Sequence, residues 1–501
     1  MVSDDTFVQW IELHAFCVMG PSHPIRAGGK QEIHYMNEKV ATDRVQATAR
    51  AQISRREGLK LGVSGVLASL LPLSALAATR AASPSSDRPK EDTMTSATAR
   101  QSASASATDE AAIRPFQVKF SEGELVDLRK RINATRWPQR EPVADASQGV
   151  QLATIQKLAR FWATEYDWRE CEAKLNALPQ FLTQIDGLDI HFIHVRSKHE
   201  NALPLIVTHG WPGSVLELLK VVDPLTNPTA HGGNAADAFH LVIPSIPGYG
   251  FSGKPTTTGW DPARIALAWV VLMKRLGYGR FVAQGGDWGA MITDVMATQA
   301  PPELLGIHLN WVFAVPPEIN GAAFTGQPAP KDLSVDERRA YEQLVAFYQK
   351  GVGYALEMAN RPQTLYGFED SPVGLAAFLL DHDVRSYELI ARTFDGQQTG
   401  LSRNDVVDNI TLYWLTETAV SSARIYWENK FGFFTPKGVG IPVAVSAFPD
   451  EVCTMPRSWA ERAYPNLMYY NKLDKGGHFA AWEQPQIFSG ELRAAFRGLR
   501  T

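Results

Sequence analysis

A glycine-flanked aspartate between an apolar run and a helix-like stretch constrains the fold of this 501-residue chain more than any other feature. Residues 280–299 read RFVAQGGDWGAMITDVMATQ, with Gly285 and Gly289 on either side of Asp287. A tight turn from a strand into a helix needs small residues at these positions, because the backbones approach closely and strained dihedral angles must be tolerated. The apex side chain then projects above the sheet, where the N-terminus of the next helix favours an ionised carboxylate. The pattern predicts a strand–turn–helix unit in which Asp287 is either an attacking nucleophile or an ordinary helix N-cap.

Short apolar runs that end in Gly/Pro turns alternate with helix-like stretches on both sides of this turn. The further strand candidates are LDIHFIHVRS, LPLIVTHGWPG, FHLVIPSIPGYG, LLGIHLNW and IPVAVSAFPDE. Strands that alternate with helices predict an α/β fold with a mostly parallel sheet. The first candidate, at 188–197, alternates polar and apolar residues and is expected to be an edge strand. In such sheets ligands bind outside the carboxyl ends of the strands, and each candidate residue below lies at such an end.

Changes in composition predict how the folded part of the chain is divided. Residues 113–185, which carry a helix-capping signature at Ser121, are expected to form a mostly helical N-terminal extension. Between residues 316 and 437 the strands stop and a largely helical segment follows, too long for an ordinary connection. We therefore expect a helical lid at 316–437, inserted between the two parts of an α/β core at 186–315 and 438–501.

The first 112 residues are expected to lie outside the fold. Residues 1–78 contain Arg55-Arg56, an apolar run and an A-x-A-like site, which together resemble a twin-arginine signal peptide. The apolar run is too short and interrupted to suggest a stable membrane span, although an uncleaved anchor is the alternative. Met36 would be a more ordinary start than Met1. A Ser-, Ala-, Thr- and Asp-rich linker at 79–112 follows, and the protein is expected to be periplasmic or secreted.

Composition excludes several classes of function. The formal net charge of −4 gives no excess of basic residues for binding nucleic acid or an anionic membrane. The three cysteines, Cys17, Cys171 and Cys453, form no CxxC or Cys/His cluster, so no metal and no cofactor are expected. The sequence leaves the oligomeric state open between a monomer and a homo-oligomer.

Two further motifs carry chemistry. The stretch HGWPGS at 209–214 resembles an oxyanion loop, in which the backbone N–H of Trp211 and that of Trp288 would stabilise developing negative charge. In GGHFAAWEQP, His478 lies near the C-terminus, where α/β-hydrolases carry the catalytic base. The acid that orients this imidazole should come from VSAFPDEV, and spacing alone does not choose between Asp450 and Glu451.

Together these motifs resemble the epoxide hydrolases of the α/β-hydrolase superfamily, in the microsomal and juvenile-hormone branch. The resemblance includes FSEGELVDLRKRINATRWP in the N-terminal extension, HGWPGS, GGDWG, DSPVGLAA in the lid, FPxE and GGHFAAxExP, and it runs from about Arg114 to Leu499. It implies that Asp287 is the nucleophile and His478 the base. It also implies that Glu451 is the acid, because Glu451 occupies the last position of FPxE.

The resemblance further implies two lid tyrosines that bind the epoxide oxygen. Tyr426 in SSARIYWEN matches one of them closely. Tyr348 in VAFYQKGVGY is taken as the other, with Tyr341, Tyr354 and Tyr366 as rivals.

The implied activity is that of a hydrolase acting on ether bonds. A carboxylate can attack carbon without prior deprotonation, so Asp287 would form an alkyl ester with the epoxide. Water activated by His478 and Glu451 would then release a vicinal diol. The partners are thus an apolar epoxide and water, and detoxification or the catabolism of aromatic hydrocarbons is the expected setting. The alternatives are a haloalkane dehalogenase, which uses the same aspartate–histidine logic, and a non-catalytic binding protein built on the same fold.

Overall fold

A nine-stranded sheet runs through the described residues, 111–500, of the computed structural model, in the order β1-β2-β3-β5-β4-β6-β7-β8-β9. The strands are β1 Arg114–Phe116, β2 Gln180–Ile185, β3 Leu188–Val195, β4 Leu203–Thr208, β5 Phe239–Pro244, β6 Phe281–Gly285, β7 Leu304–Leu309, β8 Val443–Ala447 and β9 Leu467–Lys472. β1, β2, β3 and β5 pair antiparallel, and every pairing from β5 through β4 to β9 is parallel. The predicted α/β fold is confirmed, and all residues of β5, β6 and β8 are buried, as expected for central strands covered on both faces.

The expectation that residues 188–197 form an edge strand is wrong. β3 lies inside the sheet, because β2 pairs with it and β1 pairs in turn with β2. The alternation that suggested an edge comes from His191, which is buried and bound by Ser245 at 2.9 Å and Gln180 at 3.0 Å. A buried polar side chain with both ring nitrogens satisfied can occupy an interior strand.

The predicted extension at 113–185 contains three helices. They are α1 Glu122–Asn133, α2 Leu152–Thr164 and α3 Trp168–Asn176. α1 begins with the capping box predicted at Ser121, whose side chain accepts from the backbone of Glu124. The same range also contains β1 and β2, so the extension supplies two strands to the sheet. The predicted leader at 1–78, and all but the last two residues of the linker at 79–112, lie outside the described residues.

The remaining helices cover the sheet and its carboxyl edge. Those before the lid are α4 Val222–Thr226, α5 Pro262–Arg275 and α6 Trp288–Gln299. The predicted lid at 316–437 contains α7 Pro317–Phe324, α8 Val335–Ala346, α9 Gly353–Asn360, α10 Tyr366–Asp370, α11 Pro372–Leu380, α12 Val384–Phe394, α13 Arg403–Leu415 and α14 Ala419–Glu428. After β8 come α15 Arg457–Ala463, α16 Ala480–Glu483 and α17 Pro485–Ala495. The lid thus enters the chain between β7 and β8.

Hydrogen bonds join the extension to the lid. Tyr387 of α12 accepts the backbone N–H of Gln151 at 2.9 Å, and the hydroxyl of Tyr166 donates to Asp408 at 2.7 Å. Within residues 111–500 no helix has both the length and the apolarity to cross a bilayer. Cys171 is buried and carries a free thiol.

Candidate active site

The turn between β6 and α6 places Asp287 at its apex. The backbone of Asp287 has φ 51° and ψ −127°, a region that L-residues rarely adopt. An added Cβ at Gly285 would overlap the carbonyl of Gly289, and one at Gly289 would overlap the carbonyl of Thr208. Both glycines are therefore required by the close approach of the backbones. The Asp287 side chain makes no N-cap hydrogen bond to its helix, so it is available for another role.

The oxyanion loop after β4 holds one oxygen of this carboxylate. The backbone N–H of Trp211 donates to Asp287 Oδ1 at 2.8 Å, and an added Cβ at Gly210 would collide with the Asp287 side chain. Asp287 is 6% exposed, which alone would raise its pKa. The imidazoles of His382 and His478 and the Trp288 amide outweigh burial and hold the pKa of Asp287 below its usual value. The carboxylate is thus ionised, with Oδ2 the oxygen that no backbone amide is found to hold.

His478 lies beside Oδ2 and is oriented by Glu451. Its Nδ1 is 2.6 Å from Glu451 Oε1, and its Nε2 is 3.6 Å from Asp287 Oδ2. No hydrogen bond from His478 to Asp450, the alternative acid, is found in the described residues, and the backbone of Asp450 forms a β-bridge with Gly477. Burial would lower the pKa of His478, but the Glu451 and Asp287 carboxylates prevail and raise it. The nucleophile, base and acid candidates therefore meet at the carboxyl edge of the sheet.

Two lid tyrosines pack on the two tryptophans whose backbone lies next to this carboxylate. Tyr426 of α14 packs edge-on against Trp288 with 4.7 Å between ring centroids, and Tyr354 of α9 stacks on Trp211 at 5.0 Å. The rings of Tyr354 and Tyr426 lie 6.3 Å apart. Burial, together with the negative charge of Asp287, raises the pKa of both phenols well above the usual value. Both hydroxyls therefore keep their protons and can donate hydrogen bonds.

Tyr348, the second tyrosine taken from the sequence, is not brought to this site, and Tyr354 occupies the place instead. The hydroxyl of Tyr348 donates to Asn320 at 2.7 Å, and its ring contacts Phe324, Phe347 and Phe434. Tyr348 lies in a π-helical turn, Phe347–Gly351, which Val352 separates from α9, the helix that carries Tyr354. Residues six apart on a helix face different sides, so only one of the two tyrosines can meet Trp211, and it is Tyr354 that stacks there.

The other rivals in this part of the lid lie elsewhere. Tyr341 donates to the carbonyl of Gln327 at 2.5 Å, and Tyr366 is 65% exposed. Neither is among the aromatic partners found for Trp211, Trp288 or Tyr426 in the described residues.

The sequence interpretation missed His382. This histidine follows the quoted lid motif DSPVGLAA within Leu380-Asp381-His382-Asp383, and its ring lies 4.4 Å from that of His478. A histidine between two aspartates next to a motif already assigned to the lid was the available signal. Asp287, His382 and His478 each offer one ligand atom within 4.8 Å of the others, which is the cluster in residues 111–500 that could hold a metal ion.

A small cavity of about 20 Å³, lined by both polar and apolar residues, adjoins the nucleophile and base. Thr208 Oγ1, Glu217 Oε2 and Gln284 Oε1 line it and have no hydrogen-bond partner among the described residues. Burial raises the pKa of Glu217 to about 8. A cavity of this size and polarity suits a water molecule next to His478.

Comparisons with known proteins match two parts of this chain to two protein families, and both matches agree with the predicted fold and activity. Residues 113–218 match the family described as epoxide hydrolase N terminus, and residues 204–355 match the family described as alpha/beta hydrolase fold. A provisionally named epoxide hydrolase of Stigmatella aurantiaca is 52% identical over 77% of this chain and 86% of its own length. Epoxide hydrolase 1 of Oryctolagus cuniculus is 35% identical over 77% of this chain and 88% of its own. The crystal structure of juvenile hormone epoxide hydrolase from Bombyx mori superposes with a TM-score of 0.68 at 31% identity, covering 78% of this chain and 96% of that one.

Proposed function

This chain belongs to the epoxide hydrolase family of the α/β-hydrolases, and we propose that it converts an apolar epoxide and water to a vicinal diol through an ester on Asp287. The observation that carries the proposal is that the two carboxylate oxygens of Asp287 have different surroundings. Oδ1 is held by the Trp211 amide at 2.8 Å, while Oδ2 faces His478 at 3.6 Å and two buried phenols complete the site.

In the first step Asp287 Oδ2 attacks an epoxide carbon. The carbon–oxygen bond of the strained ring breaks, and negative charge develops on the ring oxygen. Tyr354 and Tyr426 donate hydrogen bonds to that oxygen, and their raised pKa values keep them protonated until it needs a proton. The product of this step is the alkyl ester of Asp287.

In the second step His478 takes a proton from water as the water oxygen attacks the carboxyl carbon of Asp287. Glu451 and Asp287 both raise the pKa of His478, and esterification removes the charge of Asp287, so the neutral imidazole that acts as base is easier to form at this stage. The Trp211 amide stabilises the oxyanion on Oδ1, with the Trp288 amide as its partner. Glu451 holds the imidazole tautomer and stabilises its cation.

The aromatic residues near Asp287 favour an apolar substrate with an aromatic group. The rings of Trp211, Trp288, Tyr354 and Tyr426 form one contacting cluster, and Trp211 also holds the reacting carboxylate with its backbone N–H. Styrene oxide is therefore the first substrate to test, against a short-chain chloroalkane as the substrate of a dehalogenase. Diol formation without halide release is expected.

A single turnover in ¹⁸O-labelled water tests the ester. The first turnover by excess enzyme should place the label in the Asp287 carboxylate, found by mass spectrometry of the peptide, and later turnovers should release labelled diol. Label in the first diol with none in Asp287 would mean that water attacks the epoxide directly. Asp287→Ala should be folded and inactive.

Export is a further part of the proposal, supported by Arg55-Arg56 and the apolar run after them. Expression in a bacterium should give a processed chain in the periplasm. A matched Arg55→Lys, Arg56→Lys variant should retain the unprocessed chain inside the cell. Equal export of both chains would argue against a twin-arginine signal.

A further inference from the structure

His382 enters the site from the lid, between the end of α11 and the start of α12. Its side chain is 2% exposed, and its Nε2 has no hydrogen-bond partner among the described residues. That nitrogen lies 3.8 Å from Asp287 Oδ2, too long for a hydrogen bond but in direct approach to the reacting oxygen. A buried, unpartnered imidazole nitrogen aimed at the nucleophile needs an explanation.

Asp383 fixes the direction of this imidazole. His382 Nδ1 lies 2.9 Å from Asp383 Oδ2, while Asp383 Oδ1 caps α12 by accepting the backbone N–H of Ser386 at 2.8 Å. A carboxylate at Nδ1 favours the tautomer with a proton on Nδ1 or the imidazolium, and it points Nε2 away from itself. The helix cap therefore holds the His382 ring toward Asp287.

The site thus contains two imidazole–carboxylate pairs that face the same oxygen. His478 with Glu451 comes from the core, His382 with Asp383 comes from the lid, and their Nε2 atoms lie 3.6 and 3.8 Å from Asp287 Oδ2. Water activation needs only one imidazole, and His478 already has that role. The second pair repeats the arrangement that makes the first an acid–base group.

We propose that His382 is a second catalytic histidine, which protonates Oδ2 of Asp287 as the ester is hydrolysed while His478 activates the water. The proposal rests on the ester mechanism above and adds a proton donor to its second step. Oδ2 is the atom that needs this proton, because it leaves with the substrate carbon and becomes one hydroxyl of the diol.

The protons and bonds balance in this scheme. His478 Nε2 takes a proton from water while the water oxygen bonds to the carboxyl carbon of Asp287 and charge moves to Oδ1. The C=O bond to Oδ1 then re-forms, the bond from carbon to Oδ2 breaks, and Oδ2 takes the proton of His382 Nε2. The remaining hydroxyl on the carboxyl carbon gives its proton back to His382. Asp287 is again a carboxylate, and both histidines are cations.

The next epoxide removes one of the two protons. Its ring oxygen becomes an alkoxide and takes the proton of Tyr354, which His382 replaces across 5.2 Å between ring centroids; His478 then passes its own proton to His382, so His478 is left neutral and His382 charged. Repulsion between imidazoles 4.4 Å apart favours this singly protonated state once Asp287 is an ester.

Charge around His382 is consistent with its role as a cation. Burial and the charge of His478 lower its pKa, but Asp287 and Asp383 outweigh them and raise it above the ordinary value. The groups that face it are Asp383 on its own segment, Asp287 and His478 from the core, and the phenol of Tyr354 from α9.

Rapid mixing of enzyme with styrene oxide, followed by denaturation and mass spectrometry of the Asp287 peptide, measures ester formation and hydrolysis separately. His382→Gln should form the ester within about threefold of the wild-type rate and hydrolyse it about 10²-fold to 10⁴-fold more slowly, the range expected for loss of a general acid. His231→Gln, a change at a histidine bound to Asp223 outside the site, is the matched control and should alter neither step.

The dependence of the hydrolysis rate on the acidity of the leaving hydroxyl distinguishes acid catalysis by His382 from a structural role. Epoxides with electron-withdrawing substituents give a more acidic diol hydroxyl. In His382→Gln, the hydrolysis of their esters should therefore slow less than the hydrolysis of the styrene oxide ester. Asp383→Asn keeps a helix cap for Ser386 and should show a smaller defect of the same kind. An equal slowing of ester formation and ester hydrolysis would overturn the proposal. So would a slowing of hydrolysis that does not depend on the acidity of the leaving hydroxyl.

Two controls separate this proposal from the ones on which it depends. Wild-type enzyme that forms no diol from styrene oxide would refute the epoxide hydrolase mechanism itself, whereas wild-type ester hydrolysis in His382→Gln would refute only the acid role. Dialysis against a chelator should leave wild-type activity unchanged. Activity that is lost on chelation and restored by Zn²⁺ would instead make His382 a metal ligand and overturn the proposal.

Discussion

Trp211 holds the nucleophile with its backbone and a lid tyrosine with its side chain. Its N–H lies 2.8 Å from Asp287 Oδ1, and its indole stacks on Tyr354 with 5.0 Å between centroids and 13° between planes. One residue thus fixes the distance between the attacking carboxylate and a phenol that would receive the epoxide oxygen.

Trp211→Leu should separate these two functions. The backbone donor remains, but Tyr354 loses its stacking partner, so ester formation should slow by roughly 10²-fold, the effect expected for a misplacement of about 1 Å. Hydrolysis of the ester should change much less, because it uses the amide. Single-turnover kinetics on styrene oxide measure both steps, and a defect confined to hydrolysis would contradict the assignment.

Removing either phenol hydroxyl should slow ester formation more than hydrolysis. Tyr354→Phe and Tyr426→Phe each remove one donor to the developing alkoxide, and a loss of about 10²-fold to 10³-fold in kcat/KM is expected for each. Tyr348→Phe is the matched control, because its hydroxyl bonds to Asn320, and it should retain near wild-type kinetics. Loss of activity in Tyr348→Phe with full activity in Tyr354→Phe would restore Tyr348 to the site.

Glu451→Gln should trap the ester. The amide cannot stabilise the His478 cation or hold its proton as the carboxylate does, so hydrolysis should fall by about 10²-fold to 10⁴-fold while alkylation continues. The Asp287 peptide should then carry the mass of the substrate at steady state. Asp450→Asn is the control, and ester accumulation in that variant alone would make Asp450 the acid.

Three buried histidines should make the fold sensitive to acid. Burial lowers the pKa of His191 and His308 to about 3 and that of His209 to about 4, from an ordinary value of 6.5. The unfolded chain binds these protons near pH 6.5 and the folded chain does not, so stability is full above pH 6.5 and falls as the pH drops below it. Each histidine contributes a slope of up to about 1.4 kcal/mol per pH unit.

Urea unfolding of wild type and His308→Gln between pH 7.5 and 4.5 measures this effect. The free energy of unfolding should fall less steeply with decreasing pH in the variant, and the difference in slope should correspond to one proton. Identical slopes would show that His308 is protonated in the folded state.

The sequence predicted most of the sheet because strand signals are local. The runs at 203–213, 239–250 and 304–311 become β4, β5 and β7, since each is apolar and ends in a turn. Asp287 and His478 could be proposed for a similar reason, as both follow strands whose carboxyl ends meet at one edge.

The lid was harder to interpret because its chemistry depends on helix phase and tertiary packing. Tyr348 and Tyr354 lie six residues apart, in a π-helical turn and in α9, and the packing of the lid decides which of them faces Trp211. His382 reaches Asp287 only because the end of α11 packs over the core. No local pattern in the sequence specifies that contact.

The left-handed backbone of Asp287 has a consequence for engineering. Glycine adopts φ near 51° without the strain that a side chain incurs there, so Asp287→Gly should unfold at a higher temperature than wild type, with a gain on the order of 1 kcal/mol or more. Calorimetry checks this, and a lower melting temperature would contradict it. Laboratory evolution of this enzyme under heat selection alone would therefore favour inactive chains at this position, and every round needs a paired assay for turnover.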